Sequence, residues 1–258
     1  MYKIDYHSYR AIASFNRRVR FLIFHYTAQN FDESINSLTG PNVSAHYLIP
    51  DDIDQTYISA GFDDMRIFNL VDESERAWHA GTSYWAGRNN LNDSSIGIEI
   101  VNLAREDNGR FVFPIFSQKQ INAVKQLSLN ILQRYPDISP TQILGHSDIA
   151  IGRKNDPGAV FPWEALYQAG IGAWYDSDIK SNYLKQFKHQ GIPDKQHILK
   201  KLQCYGYDIN LATDEIGFNQ LIRAFQLHFR SQNYSGIVDS ETIAILYALV
   251  DKYFPDKA

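Results

Sequence analysis

The sequence predicts an α/β (α+β) fold, with a central mixed β-sheet flanked by helices and a small C-terminal three-helix domain. Three observations carry this expectation. Short apolar runs with strand character recur through the first part of the chain. A capped amphipathic helix interrupts them, giving the strand–helix–strand alternation of a layered domain. After Pro162-Trp163 the strand signal ends and helical periodicity takes over.

Taken in order, Arg20 to Phe24 is a buried-strand pattern that ends at His25, before the polar Thr27-Ala28-Gln29-Asn30. Val43 to Ile49 reads as a second strand. Asp51-Asp52 and Gly61 to Asp64 mark an inserted loop before a third, Arg66 to Val71. In Ser95 to Asn102, Ile96, Ile98 and Ile100 share one face, and Gly97 and Glu99 share the other. A glycine beside that glutamate leaves room for another group to approach. Ser117-Gln118-Lys119-Gln120 is a capping box. It opens a helix with apolar positions Ile121, Val124, Leu127, Ile131 and Tyr135, stopped by Pro136. Ile143-Leu144 is a short strand. Asp176 to Asp194, polar and with little periodicity, is expected to be a linker. Helices follow at His197 to Tyr205, Asn219 to Arg230 and Asp239 to Tyr253. The expected division is therefore 1–175, a linker 176–194, and a helical domain 195–258.

A chain of 258 residues suits one large or two smaller domains, and a hydrophobic content of 44% is ample for a core. Aromatic residues, 16 Tyr, 15 Phe and 4 Trp, suit carbohydrate or peptide grooves as well as cores. A formal net charge of -4 gives no support to nucleic acid as a partner. The single cysteine, Cys204, excludes an intramolecular disulfide and cysteine-rich zinc sites. It reads as a small core residue in a helix. Any metal must then be held by histidine and carboxylate. No apolar run approaches the ~20 residues of a membrane span. The N-terminus shows no secretion h-region, so the protein is either cytoplasmic or a chain from which a signal was removed.

The chemistry concentrates in Gly145 to Gly158, a loop rich in Gly and Pro that carries His146, Asp148, Lys154 and Asp156. His25 and His146 each follow a strand and are the best histidine ligands. Asp156, before Pro157-Gly158, reads equally as a turn-capping carboxylate and as a ligand facing back toward His146. Two histidines and one carboxylate with an open position form a catalytic zinc arrangement. Glu99, the carboxylate on the apolar strand, is the candidate general base, or else a buried glutamate paired with an arginine. Lys154 is either an oxyanion stabiliser or a solvated loop lysine.

Phe24-His25-Tyr26-Thr27, Ser44 to Ile49, Ala77-Trp78-His79-Ala80-Gly81 and Leu91 to Glu99, together with the loop, resemble the type-2 N-acetylmuramoyl-L-alanine amidases. That family is related to the animal peptidoglycan recognition proteins. The resemblance covers about residues 15 to 175. Leu202 to Tyr207, Ala224 to Phe229 and Gly236 to Thr242 resemble the type-1 peptidoglycan-binding domain. The two-domain layout is similar to that of outer-membrane amidases of Gram-negative bacteria.

The resemblance implies Zn2+ held by His25, His146 and Asp156, with Asp148 excluded. It implies Glu99 as the catalytic carboxylate and Lys154 as the group that steadies the transition state. His79, Asn92 and Arg88 are implied on the substrate groove, and His46 in a structural place. The implied activity is cleavage of the amide between N-acetylmuramic acid and L-alanine in peptidoglycan or muropeptides. The rivals are a non-catalytic peptidoglycan recognition protein and a zinc peptidase cutting within the stem peptide. A periplasmic monomer is expected, anchored at the outer membrane through an N-terminal lipid signal that this chain lacks.

Overall fold

Apolar side chains run together at Phe21–Tyr26, and this segment forms strand β1. The structure is a computed structural model that describes residues 1–108 and 110–257. After β1 come α1 (Phe31–Leu38), β2 (Tyr47–Ile49), α2 (Gln55–Ser59), β3 (Phe68–Asn69), and β4 and β5 (Tyr84–Trp85, Arg88–Asn89). Next are β6 (Ser95–Ile100), β7 and β8 (Arg105–Asp107, Arg110–Val112), α3 (Gln118–Arg134) and β9 (Ile143–Gly145). The short α4 (His146–Ile149) and α5 (Trp163–Tyr167) lead to α6 (Ser177–Gln190), α7 (Lys195–Tyr205), α8 (Glu215–Phe229) and α9 (Ser240–Tyr253).

The main sheet has the order β3-β2-β6-β1-β9. β2, β6, β1 and β9 run parallel and β3 runs antiparallel, the mixed sheet that was expected. Side chains alternate across it. Leu22 and Phe24 of β1 and Ile96, Ile98 and Ile100 of β6 face one way and pack on α3 through Ile121, Val124, Leu127 and Ile131. Each such buried aliphatic side chain contributes about 1.5–3 kcal/mol. The capping box that starts α3 is formed: Ser117 Oγ accepts from the Gln120 amide at 3.2 Å, and Gln120 Oε1 accepts from the Ser117 amide at 3.0 Å.

Phe21 and Ile23 of β1 face the other way, with Leu144 of β9, and need a different cover. The C-terminal helices supply it. Leu202, Tyr205, Tyr207, Leu221 and Phe225 join Phe21, Ile23, Trp85, Leu144 and Ile149 in one buried apolar cluster. The helical unit is thus packed on the sheet.

The segment 176–194 is not an extended linker. Its greater part is the helix α6, which packs on α9. Tyr183 and Phe187 meet the ring of Tyr247 at centroid distances of 5.2 Å each. Tyr183, Leu184 and Phe187 pack this helix on the helical core and Lys180 pairs with Glu241 of α9, while the polar residues between and around them narrow the stripe in the sequence. A fourth helix therefore joins the three expected ones. Cys204 is half-buried against the helical core. Among the described residues, no helix is long and apolar enough to cross a membrane.

Candidate metal centre and catalytic cavity

Strand register assembles the site. His25 of β1 lies opposite Glu99 of β6, and Phe24 lies opposite Gly145 of β9. His25, Glu99 and His146 therefore meet at the carboxyl ends of three adjacent parallel strands, where open α/β sheets bind ligands. The fourth group returns through the loop. The Ser147 amide donates to the Asp156 carbonyl at 2.9 Å, which closes residues 147–156 on themselves. Gly145 is required there, because a Cβ would stand 2.7 Å from Pro157 Cδ. This closure resolves the ambiguity of Asp156: its carboxylate faces His146.

His25 Nδ1, His146 Nδ1 and Asp156 Oδ2 converge, with separations of 3.0, 2.9 and 3.0 Å. All three side chains are buried. The donor set fits a metal. His146 Nε2 lies 3.0 Å from the Ala80 carbonyl, which can only accept, so Nε2 carries the proton and Nδ1 presents a lone pair. That lone pair faces Asp156 Oδ2 and His25 Nδ1, an arrangement that repels unless a cation, or a proton on His25 Nδ1, lies among them. Two imidazoles and one carboxylate are a zinc set. Burial, and then the neighbouring His146, push His25 down to about 4. Burial opposes charge on Asp156 as well, but His146 and His25 hold its carboxyl well below the usual carboxylate range.

A cavity of about 420 Å³ opens above the cluster, lined by Tyr26, Trp78, Glu99, Lys154 and Asn155 among others. Glu99 Oε2 is sealed from solvent and has no hydrogen-bond partner. Among the described residues no arginine pairs with it, so the ion-pair reading of Glu99 falls. Burial, with the Asp156 carboxylate adding to it, pushes Glu99 up to about 8. Such a carboxyl can both take and give a proton near neutrality. Lys154 brings a cation to the same cavity. Asp148 is elsewhere: it is fully buried and accepts from the Gly145 amide, Tyr207 Oη and His228 Nδ1 at 2.8, 2.6 and 2.7 Å.

The three expected substrate contacts stand differently. His79 lies in the cavity wall, but both its ring nitrogens are engaged, by His25 Nε2 at 3.0 Å and Ser95 Oγ at 3.1 Å. Asn92 is buried away from the cavity, and its Oδ1 accepts from the His79 and Ala80 amides at 3.1 and 2.7 Å. Arg88 is exposed on the β4–β5 hairpin, whose short turn carries it off the cavity lining. His46 accepts from the Gly97 amide at 3.0 Å, a structural place. The same-face gap at Gly97 is filled by His79, since a Cβ there would run into its imidazole.

Two cavity residues escaped sequence reasoning. Trp78, half-exposed, forms the rim, and its position beside His79 was the available signal. Arg153 donates to the carbonyls of Ala80 and Thr82 at 2.9 and 2.7 Å, clamping the turn behind His146. Nothing local in the sequence separates it from an ordinary loop arginine.

Comparison with known proteins follows from this geometry. The family described as N-acetylmuramoyl-L-alanine amidase matches residues 15–159. The chain is 42% identical to the amidase AmiD of Escherichia coli over 240 residues, 93% of this chain and 85% of that protein. A crystal structure of AmpDH3 from Pseudomonas aeruginosa, in complex with anhydromuramic pentapeptide, superposes with a TM-score of 0.96 at 56% identity, covering 98% of this chain and 99% of that one. E. coli AmiD, in complex with anhydro-N-acetylmuramic acid-L-Ala-D-γ-Glu-L-Lys, gives a TM-score of 0.84 at 40% identity, covering 95% and 93%. The profile match spans the strands that carry His25, Glu99 and His146 and the loop that returns Asp156, so the chain belongs to the N-acetylmuramoyl-L-alanine amidase family.

Proposed function

We propose that this protein hydrolyses the amide between the lactyl group of N-acetylmuramic acid and the L-alanine of the stem peptide, with zinc as its metal. The observation that carries this reading is the unpartnered Glu99 Oε2, in one cavity with His146 and Asp156, which converge with His25 beneath it. Family membership supports it, and so do the muropeptides held by the AmpDH3 and AmiD relatives.

Each group then has a chemical task. His25, His146 and Asp156 would hold a zinc ion, which would supply Lewis acidity to the reaction. Glu99 takes the proton of the attacking water and returns it to the departing L-alanine nitrogen. Lys154 places an ammonium where the carbonyl oxygen gains negative charge. Trp78, Val43 and Leu38 give the cavity an apolar wall for the sugar or the stem.

Digestion of purified muropeptides, read by mass spectrometry, tests the reading. Free sugar with an intact stem peptide is expected, whereas shortened stems would establish a peptidase. Metal analysis of the pure protein should return one zinc per chain, and a metal-free, inactive protein that zinc does not revive would leave only binding.

The helical unit is part of this proposal as a peptidoglycan-binding module, supported by its motif resemblance. Ile216 and Ile237 are its most exposed large apolar side chains, at 70% and 66%. Replacing both by Asp should lower the fraction that sediments with purified sacculi. The enzyme is proposed to work in the periplasm, with outer-membrane anchoring the finer expectation, and cell fractionation tests both.

A further inference from the structure

Resting on the zinc reading above, we propose that His79 and Asn92 are positioning residues of the metal centre. His79 would fix the tautomer and orientation of His25, and Asn92 would hold the peptide that backs both ligand histidines.

Hydrogen-bond polarity leads from one end of this relay to the other. A histidine that offers Nδ1 to a metal carries its proton on Nε2. His25 Nε2 then donates to His79 Nδ1 at 3.0 Å. His79 must present a lone pair at Nδ1 and carry its own proton on Nε2. That proton is donated to Ser95 Oγ at 3.1 Å. The Ser95 hydroxyl in turn donates to the Leu91 carbonyl at 2.6 Å, an atom that can only accept. Every donor has an acceptor, and the terminal carbonyl sets the direction of the whole chain.

The second ligand is backed by the next residue. His146 Nε2 donates to the Ala80 carbonyl at 3.0 Å. One dipeptide, His79-Ala80, thus supplies the outer partner of both ligand imidazoles. Asn92 Oδ1 accepts from both amides of that dipeptide, at 3.1 and 2.7 Å. The His79 ring has no freedom to leave. Gly97 presses against it from the neighbouring strand, and the His46 ring stands edge-on at a centroid distance of 5.6 Å. Outer partners of this kind orient ligands and raise their basicity, and losing one typically costs 10–100-fold in metal affinity.

The test measures zinc affinity by competition with a chelating indicator and does not depend on turnover. His79→Asn keeps an acceptor near the position of Nδ1, whereas His79→Leu is of similar size and has none. We expect His79→Leu and Asn92→Ala to bind zinc about 10–100-fold more weakly, and His79→Asn to recover most of the loss. A packing role alone would not distinguish Asn from Leu, so equal losses would overturn the assignment, as would wild-type affinity in His79→Leu. Nitrogen-15 spectra of the zinc-loaded wild-type protein give an independent readout. The Nε2–H tautomer is expected at His79, and an Nδ1–H tautomer would refute the relay without any variant. A wild-type protein with no affinity for zinc would instead refute the zinc reading itself, and the relay with it.

Discussion

Glu99→Gln should change how the stability of the metal-free protein depends on pH. Folding moves the Glu99 carboxyl from its ordinary value of 4.5 to about 8, through burial and then the nearby Asp156. Below pH 4.5 it is protonated in both states and contributes nothing to the pH dependence. Between 4.5 and 8 the unfolded chain loses this proton while the folded protein keeps it, so stability falls as pH rises and is fully reduced above 8. At 1.36 kcal/mol per pH unit, the full loss is on the order of 5 kcal/mol. A glutamine amide in place of the carboxyl cannot ionise, so this loss disappears. The assay is urea denaturation of both proteins with a chelator present, at pH 4 and at pH 9. The variant should gain on the order of 5 kcal/mol relative to wild type between the two conditions. Any constant cost of the amide cancels in that difference. Zinc places a dication near the carboxyl and should shrink the gap. Parallel stability profiles without metal would refute the account of Glu99 as a carboxyl held protonated by its surroundings.

Three further outcomes are expected. Lys154→Ala should lower kcat about 100-fold with zinc content unchanged, as loss of an oxyanion donor does, measured by steady-state kinetics on a muropeptide. Asp148→Ala strands the Gly145 amide, Tyr207 Oη and His228 Nδ1 in the interior, and chemical denaturation should show a loss of about 3–5 kcal/mol. Gly97→Ala forces the His79 imidazole out of its seat, and indicator competition should report zinc affinity at least about 10-fold weaker.

What the sequence disclosed depended on how local the signal was. The strand that carries His25, which runs one residue further to Tyr26, the alternation around Glu99 and the capping box of α3 are set within a few residues and follow their local patterns. Asp156 was ambiguous for a physical reason: its direction depends on the backbone bond between Ser147 and Asp156. The motif around His79 and the segment reaching Asn92 marked these residues as important without disclosing how. Their partners, His25 and Ser95 for the His79 ring and the His79 and Ala80 amides for Asn92, come from different strands and turns. The same holds for Arg88, whose hairpin directs it away from the cavity that its position in the motif suggested. α6 was concealed because its four apolar residues, Ile179, Tyr183, Leu184 and Phe187, form only a narrow stripe among lysines and other polar residues.

The apolar cluster shared by β1, β9 and the C-terminal helices has a mechanical consequence. A binding module on a flexible tether searches a volume and raises local concentration by reach. Here Phe21, Ile23 and Leu144 are buried under Leu202, Tyr207 and Phe225, and the Ala86 amide donates to the Gly206 carbonyl at 2.8 Å. Such an attachment behaves as a fixed offset. If the helices grip a glycan strand, the cavity meets only those stems that lie at one distance and orientation from the grip. Avidity then selects by geometry, and a stem out of phase with the bound strand requires the whole enzyme to let go and rebind.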